Sequence, residues 1–120
     1  MANPSPGFAK NPGYRIDVTP HEGEVVVTAE GREIARSTRA LDLAEAGHPP
    51  VIYVPFADID FTALEPTDTT TRCPFKGEAS YWSVKGGPAD AMWAYQAPYD
   101  EMAAIADHGA FWPGRATVEA

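Results

Sequence analysis

Glycine and proline interrupt this chain so often that long helices have no room to form. Ten glycines and twelve prolines are spread over 120 residues, and both residue types favour turns over regular elements. Between them lie short runs in which apolar and polar residues alternate, the period-two pattern of half-buried strands. The sequence therefore predicts a compact, single, mostly β domain of short antiparallel strands with one or two short helices.

Two runs in the first half of the chain predict a β-hairpin. EVVVTA and REIARS are joined by a Glu-Gly turn, a spacing typical of antiparallel neighbours. An earlier strand is predicted where Ile16 and Val18 alternate with charged residues. Residues 1–13 precede these strands, and their proline content predicts an irregular arm outside a folded domain over residues 14–120.

The segment ALDLAEA is open to two interpretations. Leu41 and Leu43 share a parity, as in a strand, whereas the alanines and glutamates favour a helical turn. We prefer the strand, in which Glu45 shares the face of both leucines and points toward the interior or its rim. The next run, VIYVPF, has the β-branched and aromatic pattern of a central strand buried on both faces.

The second half of the chain combines polar and aromatic segments. We predict a threonine-rich loop over EPTDTTTRCPFKG and a short helix in YDEMAAIADHG that ends at Gly109. Two short strands around a Pro-Gly turn close the chain.

The strands that follow the loop are rich in aromatic residues. Alternation places Tyr81 and Trp82 on opposite faces of one strand, while Trp93 and Tyr95 share a face of the next. Since most of the aromatic residues lie between positions 75 and 112, an aromatic-walled pocket is expected in this half. Large aromatic side chains are also the usual filling of a core, and this alternative stays open.

Charge and cysteine content exclude several classes of function. The formal charge is −8, the isoelectric point is about 4.7, and the basic residues form no run, all of which argues against nucleic-acid binding. Cys73 is the only cysteine, so the chain can form neither an internal disulfide nor a thiolate zinc cluster, and we predict no metal and no cofactor. No apolar segment suits a signal peptide or a membrane span, so we expect a cytoplasmic protein without membrane contact.

The densest concentration of reactive side chains lies over residues 65–82. Cys73 stands beside two basic residues whose charge would raise its thiolate fraction, although a lone cysteine is also a common small buried residue. Lys76 and Gly77 could hold an anion, or they could complete a tight turn with a solvated lysine. Glu65 and Asp68 are interpreted as turn-forming carboxylates in preference to an acid–base pair or a metal site.

Two charged residues before the predicted central strand complete the candidate site. Arg39 and Glu45 could pair with each other structurally or orient a polar ligand. The predicted catalytic residues are Cys73, Lys76 and Glu45. The predicted ligand-binding residues are Arg39, Thr71, Gly77, Tyr81, Trp82 and Trp93.

The stretch TRCPFKG, followed by the pair Tyr81-Trp82, resembles the DUF427 family of uncharacterised proteins, and the resemblance extends over residues 14–119. It implies a compact β-tent, similar to the domain shared by Mss4-like zinc proteins and methionine sulfoxide reductase B. The paired Cys-x-x-Cys zinc ligands common in that wider group are absent here, so zinc is not carried over. The family sometimes bears a nucleotidyltransferase label, which gains no support because the Gly-Ser and spaced aspartates of that chemistry are missing.

Two functional hypotheses follow from these residues. The first is a pocket that binds a small polar molecule, with or without catalysis, formed by residues 65–82 and the aromatic residues of the second half. The second is a non-enzymatic module that binds a peptide or a partner protein in an aromatic cleft. We favour the pocket because unlike polar groups and aromatic rings occur together in one stretch.

Overall fold

The computed structural model describes residues 2–120, which form ten β-strands and four short helices. The strands are β1 (Ile16–Pro20), β2 (Val25–Ala29), β3 (Arg32–Ser37), β4 (Leu41–Glu45), β5 (Val51–Pro55), β6 (Leu64–Cys73), β7 (Gly77–Val84), β8 (Met92–Ala94), β9 (His108–Phe111) and β10 (Thr117–Glu119). The helices are α1 (Pro6–Lys10) and three 3₁₀ helices, Phe56–Asp58, Phe61–Ala63 and Asp100–Ile105. The predicted mostly β fold is confirmed.

The strands form two antiparallel sheets. Seven strands make the larger sheet in the order β1-β4-β5-β9-β8-β7-β6, and three make the smaller sheet in the order β10-β2-β3. Every strand pair in both sheets is antiparallel. None of the helices among residues 2–120 is long and apolar enough to cross a membrane.

Each face of the larger sheet carries its own hydrophobic core. One core joins this sheet to the smaller one and includes Val25, Val27, Ile34, Val54, Trp82 and Met92. The other core lies on the opposite face and includes Leu43, Tyr53, Tyr81, Tyr95, Met102, Ile105 and Ala110. Three tyrosines in the second core give this face a polar character that the first lacks.

The period-two predictions are confirmed. EVVVTA and REIARS pair with each other as β2 and β3, and ALDLAEA forms strand β4, which pairs with both β1 and β5. In β5, the neighbours Tyr53 and Val54 are 2% and 1% exposed and belong to different cores. The run VIYVPF is therefore a central strand buried on both faces.

The predicted threonine-rich loop is wrong, because these residues form the long edge strand β6. They pair with β7 in a register that matches Thr71 with Ala79 and Cys73 with Gly77. The strand lies at the edge of the sheet and most of it is exposed, so it lacks the apolar alternation by which the other strands are recognised. Threonine is β-branched and suits an exposed strand, and Glu65 and Asp68 accordingly lie on this strand and not in a turn.

Two further expectations are corrected by the helices. Part of the arm predicted to be irregular forms helix α1, while the division of the chain at residue 13 stays a prediction. The helix predicted in YDEMAAIADHG is the 3₁₀ helix Asp100–Ile105, which is interrupted by non-helical backbone at Met102. Gly109 does not end it, since this residue lies in β9 and packs against Met92 in the core.

The core around Gly109 leaves no room for a side chain. A β-carbon at this position would lie 2.5 Å from the sulfur of Met92 and 3.0 Å from Cδ1 of Ile59. Gly109→Ala should therefore lower the free energy of unfolding in urea by about 1–3 kcal/mol through overpacking. Gly13→Ala is the matched control because nothing lies within 4 Å of the position that its methyl group would take. Equal stability of both variants would contradict this packing.

Candidate functional site

A cavity of about 370 Å³ opens on the face of the larger sheet that the smaller sheet leaves uncovered. Its wall combines charged, hydroxyl-bearing and aromatic side chains: Leu43, Glu45, His48, Val51, Tyr53, Lys76, Tyr81, Trp93, Tyr95 and Trp112. We refer to it below as the tyrosine pocket.

Strand alternation brings the wall residues to one face. Glu45 follows Leu43 by two positions in β4, and Tyr53 follows Val51 by two in β5, so each pair points the same way. The register pairs Val51 with Leu43, which continues the wall from one strand to the next.

A small residue lies in the middle of this face. Ala110 of β9 is fully buried and pairs with Trp93 of β8, and β9 lies between β5 and β8. The ring of Trp93 packs edge-on against that of Tyr53, with centroids 6.3 Å apart, and its Nε1 donates a hydrogen bond of 3.3 Å to the hydroxyl of Tyr53.

The pocket holds an ion pair between Lys76 and Glu45. Lys76 Nζ donates to Glu45 Oε1 at 2.7 Å, and the two side chains are only 10% and 14% exposed. The hydroxyl of Tyr14 donates to the other carboxylate oxygen at 2.6 Å, and Nε2 of His48 lies 4.0 Å from it. Both oxygens of Glu45 are thus engaged within the protein.

These contacts change the acidity of Glu45. Burial raises the pKa of this carboxyl. The hydrogen bonds from Lys76 and Tyr14 and the charge of the ammonium lower the pKa by more than burial raises it, so it lies below its ordinary value. The same bond to Glu45, aided by burial, raises the pKa of Tyr14 to about 12. Glu45 is therefore a carboxylate and Tyr14 a neutral phenol at physiological pH.

The tyrosines inside the pocket also keep their protons. Burial is the main cause that raises the pKa of Tyr53 and of Tyr95 above the ordinary phenol range. At neutral pH both hydroxyls are therefore available as hydrogen-bond donors.

The N-terminal arm holds the turn that carries Lys76. The backbone N–H of Gly7 donates to the carbonyl of Pro74 at 2.8 Å, and the hydroxyl of Ser5 donates to the same oxygen at 2.9 Å. The ring of Phe75 packs against the ring of Phe8 and stacks on that of Tyr14, with centroids 5.1 and 4.3 Å apart. Through these contacts the arm fixes the turn from which Lys76 reaches Glu45.

The structure brings some of the predicted site residues together in the tyrosine pocket. Glu45, Lys76, Tyr81 and Trp93 all line it. The tight turn before Gly77 is present, but its lysine is buried, at 8% exposure, so the alternative of a solvated lysine is wrong.

Three predicted residues lie next to the pocket without lining it. Thr71 Oγ1 is 3.0 Å from the hydroxyl of Tyr81. Gly77 adopts a φ of 122°, which glycine tolerates and other residues rarely adopt, and this conformation starts β7 directly after Lys76. Cys73 packs against the core that contains the three tyrosines.

The remaining two predicted residues lie elsewhere. Arg39 pairs with Asp58 at 2.8 Å on the surface, so the expected Arg39–Glu45 pair is wrong. Trp82 belongs to the core between the two sheets, as its alternation with Tyr81 requires.

Sequence reasoning missed several residues of the site. His48, Tyr53, Tyr95 and Trp112 line the pocket, and Tyr14 contacts its carboxylate. The signal for Tyr95 was present, because it shares a strand face with Trp93, and Tyr53 could have been found from the parity of its strand. Tyr14 and His48 carry no local signal, since their partner is defined only by the fold. Among residues 2–120, no three His, Cys, Asp or Glu side chains are grouped closely enough to hold a metal ion.

Loss of the lysine partner should destabilise the protein. In Lys76→Met the carboxylate of Glu45 would stay buried with one fewer hydrogen bond, which should lower the free energy of unfolding by about 2–3 kcal/mol. Arg72→Met is the matched control, because Arg72 forms an exposed pair with Glu78 on the same hairpin and should cost less than about 1 kcal/mol. Similar losses in urea denaturation for both variants would contradict a buried pair.

The lowered pKa of Glu45 predicts a pH dependence of stability. A group whose pKa is lower in the folded state stabilises the fold fully above its unfolded value, near 4.5, and this contribution is lost as the pH falls through the folded value. The stability difference between wild type and Glu45→Gln should therefore be constant at neutral pH and shrink below about pH 4.5. Urea denaturation at a series of pH values measures it, and a difference that does not shrink would contradict the assignment.

Comparison with known proteins places the chain in a family. No curated protein matches the chain. A family model described as a domain of unknown function, DUF427, matches residues 17–120. The match covers every strand of both sheets apart from the first residue of β1, while the arm and Tyr14 precede it. Because the match spans most of the chain and agrees with the resemblance of the TRCPFKG stretch, this protein belongs to the DUF427 family.

Proposed function

We propose that this protein binds a small polar molecule in the tyrosine pocket. The observation that carries the proposal is the Lys76–Glu45 ion pair, which lies in the wall of a cavity and not in solid core. A family match to a domain of unknown function supports no specific activity, so the proposal rests on the site itself.

The ion pair supports a binding role because it is a costly way to stabilise a fold. Removing two charges from water costs several kcal/mol each, and an apolar pair of similar size often stabilises a protein as well or better. Charged groups with a perturbed pKa in a concave site are a common feature of ligand-binding and catalytic sites. In any acid–base step, Lys76 and Glu45 are the groups that would meet the substrate.

The size of the cavity favours a small molecule over a peptide. A volume of about 370 Å³ lies at the lower end of the range of small-molecule sites. Trp93 and Trp112 provide flat apolar surface, with ring centroids 4.8 Å apart, against which a planar ligand can pack. The β-tent likeness and the cytoplasmic location remain predictions that accompany this proposal.

Binding to a panel of metabolites and nucleotides tests the proposal. In two-dimensional amide NMR spectra, a ligand should shift signals of β4, β5 and β8, and Val51→Phe should abolish the response by filling the cavity. Val26→Phe is the matched control, since Val26 is equally half-buried but lies in the smaller sheet. The proposal fails if no compound shifts the amide signals of these strands, or if a ligand shifts them in Val51→Phe as much as in wild type.

A further inference from the structure

We propose that the ligand carries a carbonyl-type oxygen, as in a carboxylate, amide or ketone, joined to an apolar body. The oxygen binds the hydroxyls of Tyr53 and Tyr95, and the apolar body lies in a second cavity beside the tyrosine pocket. The inference rests on the proposed function, because it names the class of molecule that the same site takes.

Two tyrosine hydroxyls at the pocket can each donate one more hydrogen bond. The hydroxyl of Tyr53 accepts a hydrogen bond from Trp93, which leaves its own proton without an acceptor among residues 2–120. Tyr95 also lines the cavity, and its hydroxyl makes no hydrogen bond within the same part of the chain. Both rings are nearly buried, at 2% and 7% exposure, so each free O–H group has only the cavity to donate into.

Burial of these hydroxyls determines what they can bind. The raised pKa of both phenols keeps them protonated at neutral pH, so they offer hydrogen atoms to a ligand. A carbonyl or carboxylate oxygen has two lone pairs and can accept both bonds. A ligand oxygen that accepts both bonds would give each hydroxyl proton the acceptor that residues 2–120 do not supply.

A cationic ligand is disfavoured by the same wall. The ammonium of Lys76 lines the pocket and would repel a second positive charge. The carboxylate of Glu45 already accepts hydrogen bonds from Lys76 and Tyr14, so it is less available to the ammonium group of a ligand than a free carboxylate would be. Aromatic rings attract cations in other proteins, but here the guanidinium of Arg115 already lies 5.9 Å from the centroid of the Trp112 ring.

The second cavity, the apolar groove, continues from the tyrosine pocket. Its volume is about 210 Å³, and Val51 and Trp93 line both cavities. All of its lining residues have apolar side chains: Pro50, Val51, Ile52, Trp93, Phe111, Pro113 and Val118. A molecule whose polar end lies at the tyrosines can therefore extend past Trp93 and place an apolar group against these side chains.

The exposed apolar side chains lie at these same cavities. Among residues 2–120, the large hydrophobic side chains that are exposed are Trp112 at 42% and Val118 at 37%. Trp112 lines the tyrosine pocket and Val118 the apolar groove. Apolar surface gathered beside a polar cavity is typical of a site for a ligand with one polar and one apolar end.

Three simple probes test the polar half of the proposal. Benzoate and benzamide carry the carbonyl oxygen on an apolar ring, whereas benzylamine places an ammonium on the same ring. In amide NMR titrations of the full chain, both carbonyl probes should shift β5 and β8, and benzylamine should bind at least about tenfold more weakly. Equal or tighter binding of benzylamine overturns the proposal.

Removal of single hydroxyls tests the named residues. Tyr53→Phe and Tyr95→Phe should each weaken benzoate binding by about tenfold, the loss expected for one hydrogen bond to a charged group. Tyr99→Phe is the matched control, because the hydroxyl of Tyr99 accepts a bond from Arg72 and does not line the pocket. Unchanged benzoate affinity in both pocket variants overturns the proposal, and the comparison of wild-type probes stands even if one variant fails to fold.

A longer probe tests the apolar half. 4-Butylbenzoate should bind more tightly than benzoate by several fold, since its chain would enter the apolar groove. Val118→Asp should remove this gain, whereas Thr117→Asp places the same charge on the neighbouring residue of β10, outside the groove, and should preserve it. Equal affinities of the two benzoates for wild type overturn this half.

The results separate this inference from the proposed function. If neither carbonyl probe shifts the pocket at millimolar concentration, the carbonyl proposal is overturned. The pocket itself still stands as a binding site when another compound of the wider panel shifts β4, β5 and β8 and loses this effect in Val51→Phe. If no compound of the panel shifts these signals, both the carbonyl proposal and the proposed function are overturned.

Discussion

The ion pair between Lys76 and Glu45 is the interaction on which the candidate site depends. Its two members are 31 residues apart and come from different kinds of element. Glu45 ends strand β4 in the larger sheet, while Lys76 belongs to the turn between β6 and β7. The two meet only because the sheet places these elements around one face and because the N-terminal arm fixes the turn through Pro74. The geometry of the pocket therefore follows from the topology of the whole domain.

The unequal covering of the larger sheet explains why a cavity exists at all. One face is closed by the smaller sheet, which packs Val25 and Val27 against it without a charged side chain in the core. The other face is covered by a 3₁₀ helix and part of the arm, through Met102, Ile105 and Phe8. These short elements leave its centre open, and the aromatic rings and the ion pair form the walls. The candidate site thus lies on the face whose core is only partly covered.

Much of this architecture could be predicted from sequence, and the failures have physical reasons. Alternation identified the buried strands and the inward face of Glu45, because burial on one face imposes a period of two. The edge strand β6 was missed, since an exposed strand of threonines needs no apolar residues. Of the two roles considered for Arg39, pairing with Glu45 is wrong, because ion pairs between distant segments leave no local pattern from which the true partner, Lys76, could be identified. Strand alternation alone could have removed Trp82 from the candidate site, because it faces away from Tyr81. The same alternation could have added Tyr95, because it lies two positions after Trp93.

The most direct test of this account is the pKa of the Glu45 carboxyl, measured by carbon-13 NMR from its side-chain signal as the pH is lowered. A buried carboxylate held by Lys76 and Tyr14 should titrate below its ordinary value of 4.5, because both hydrogen bonds must be weakened when it is protonated. A midpoint at or above 4.5 would contradict the ion pair and, with it, the arrangement of the pocket around Lys76.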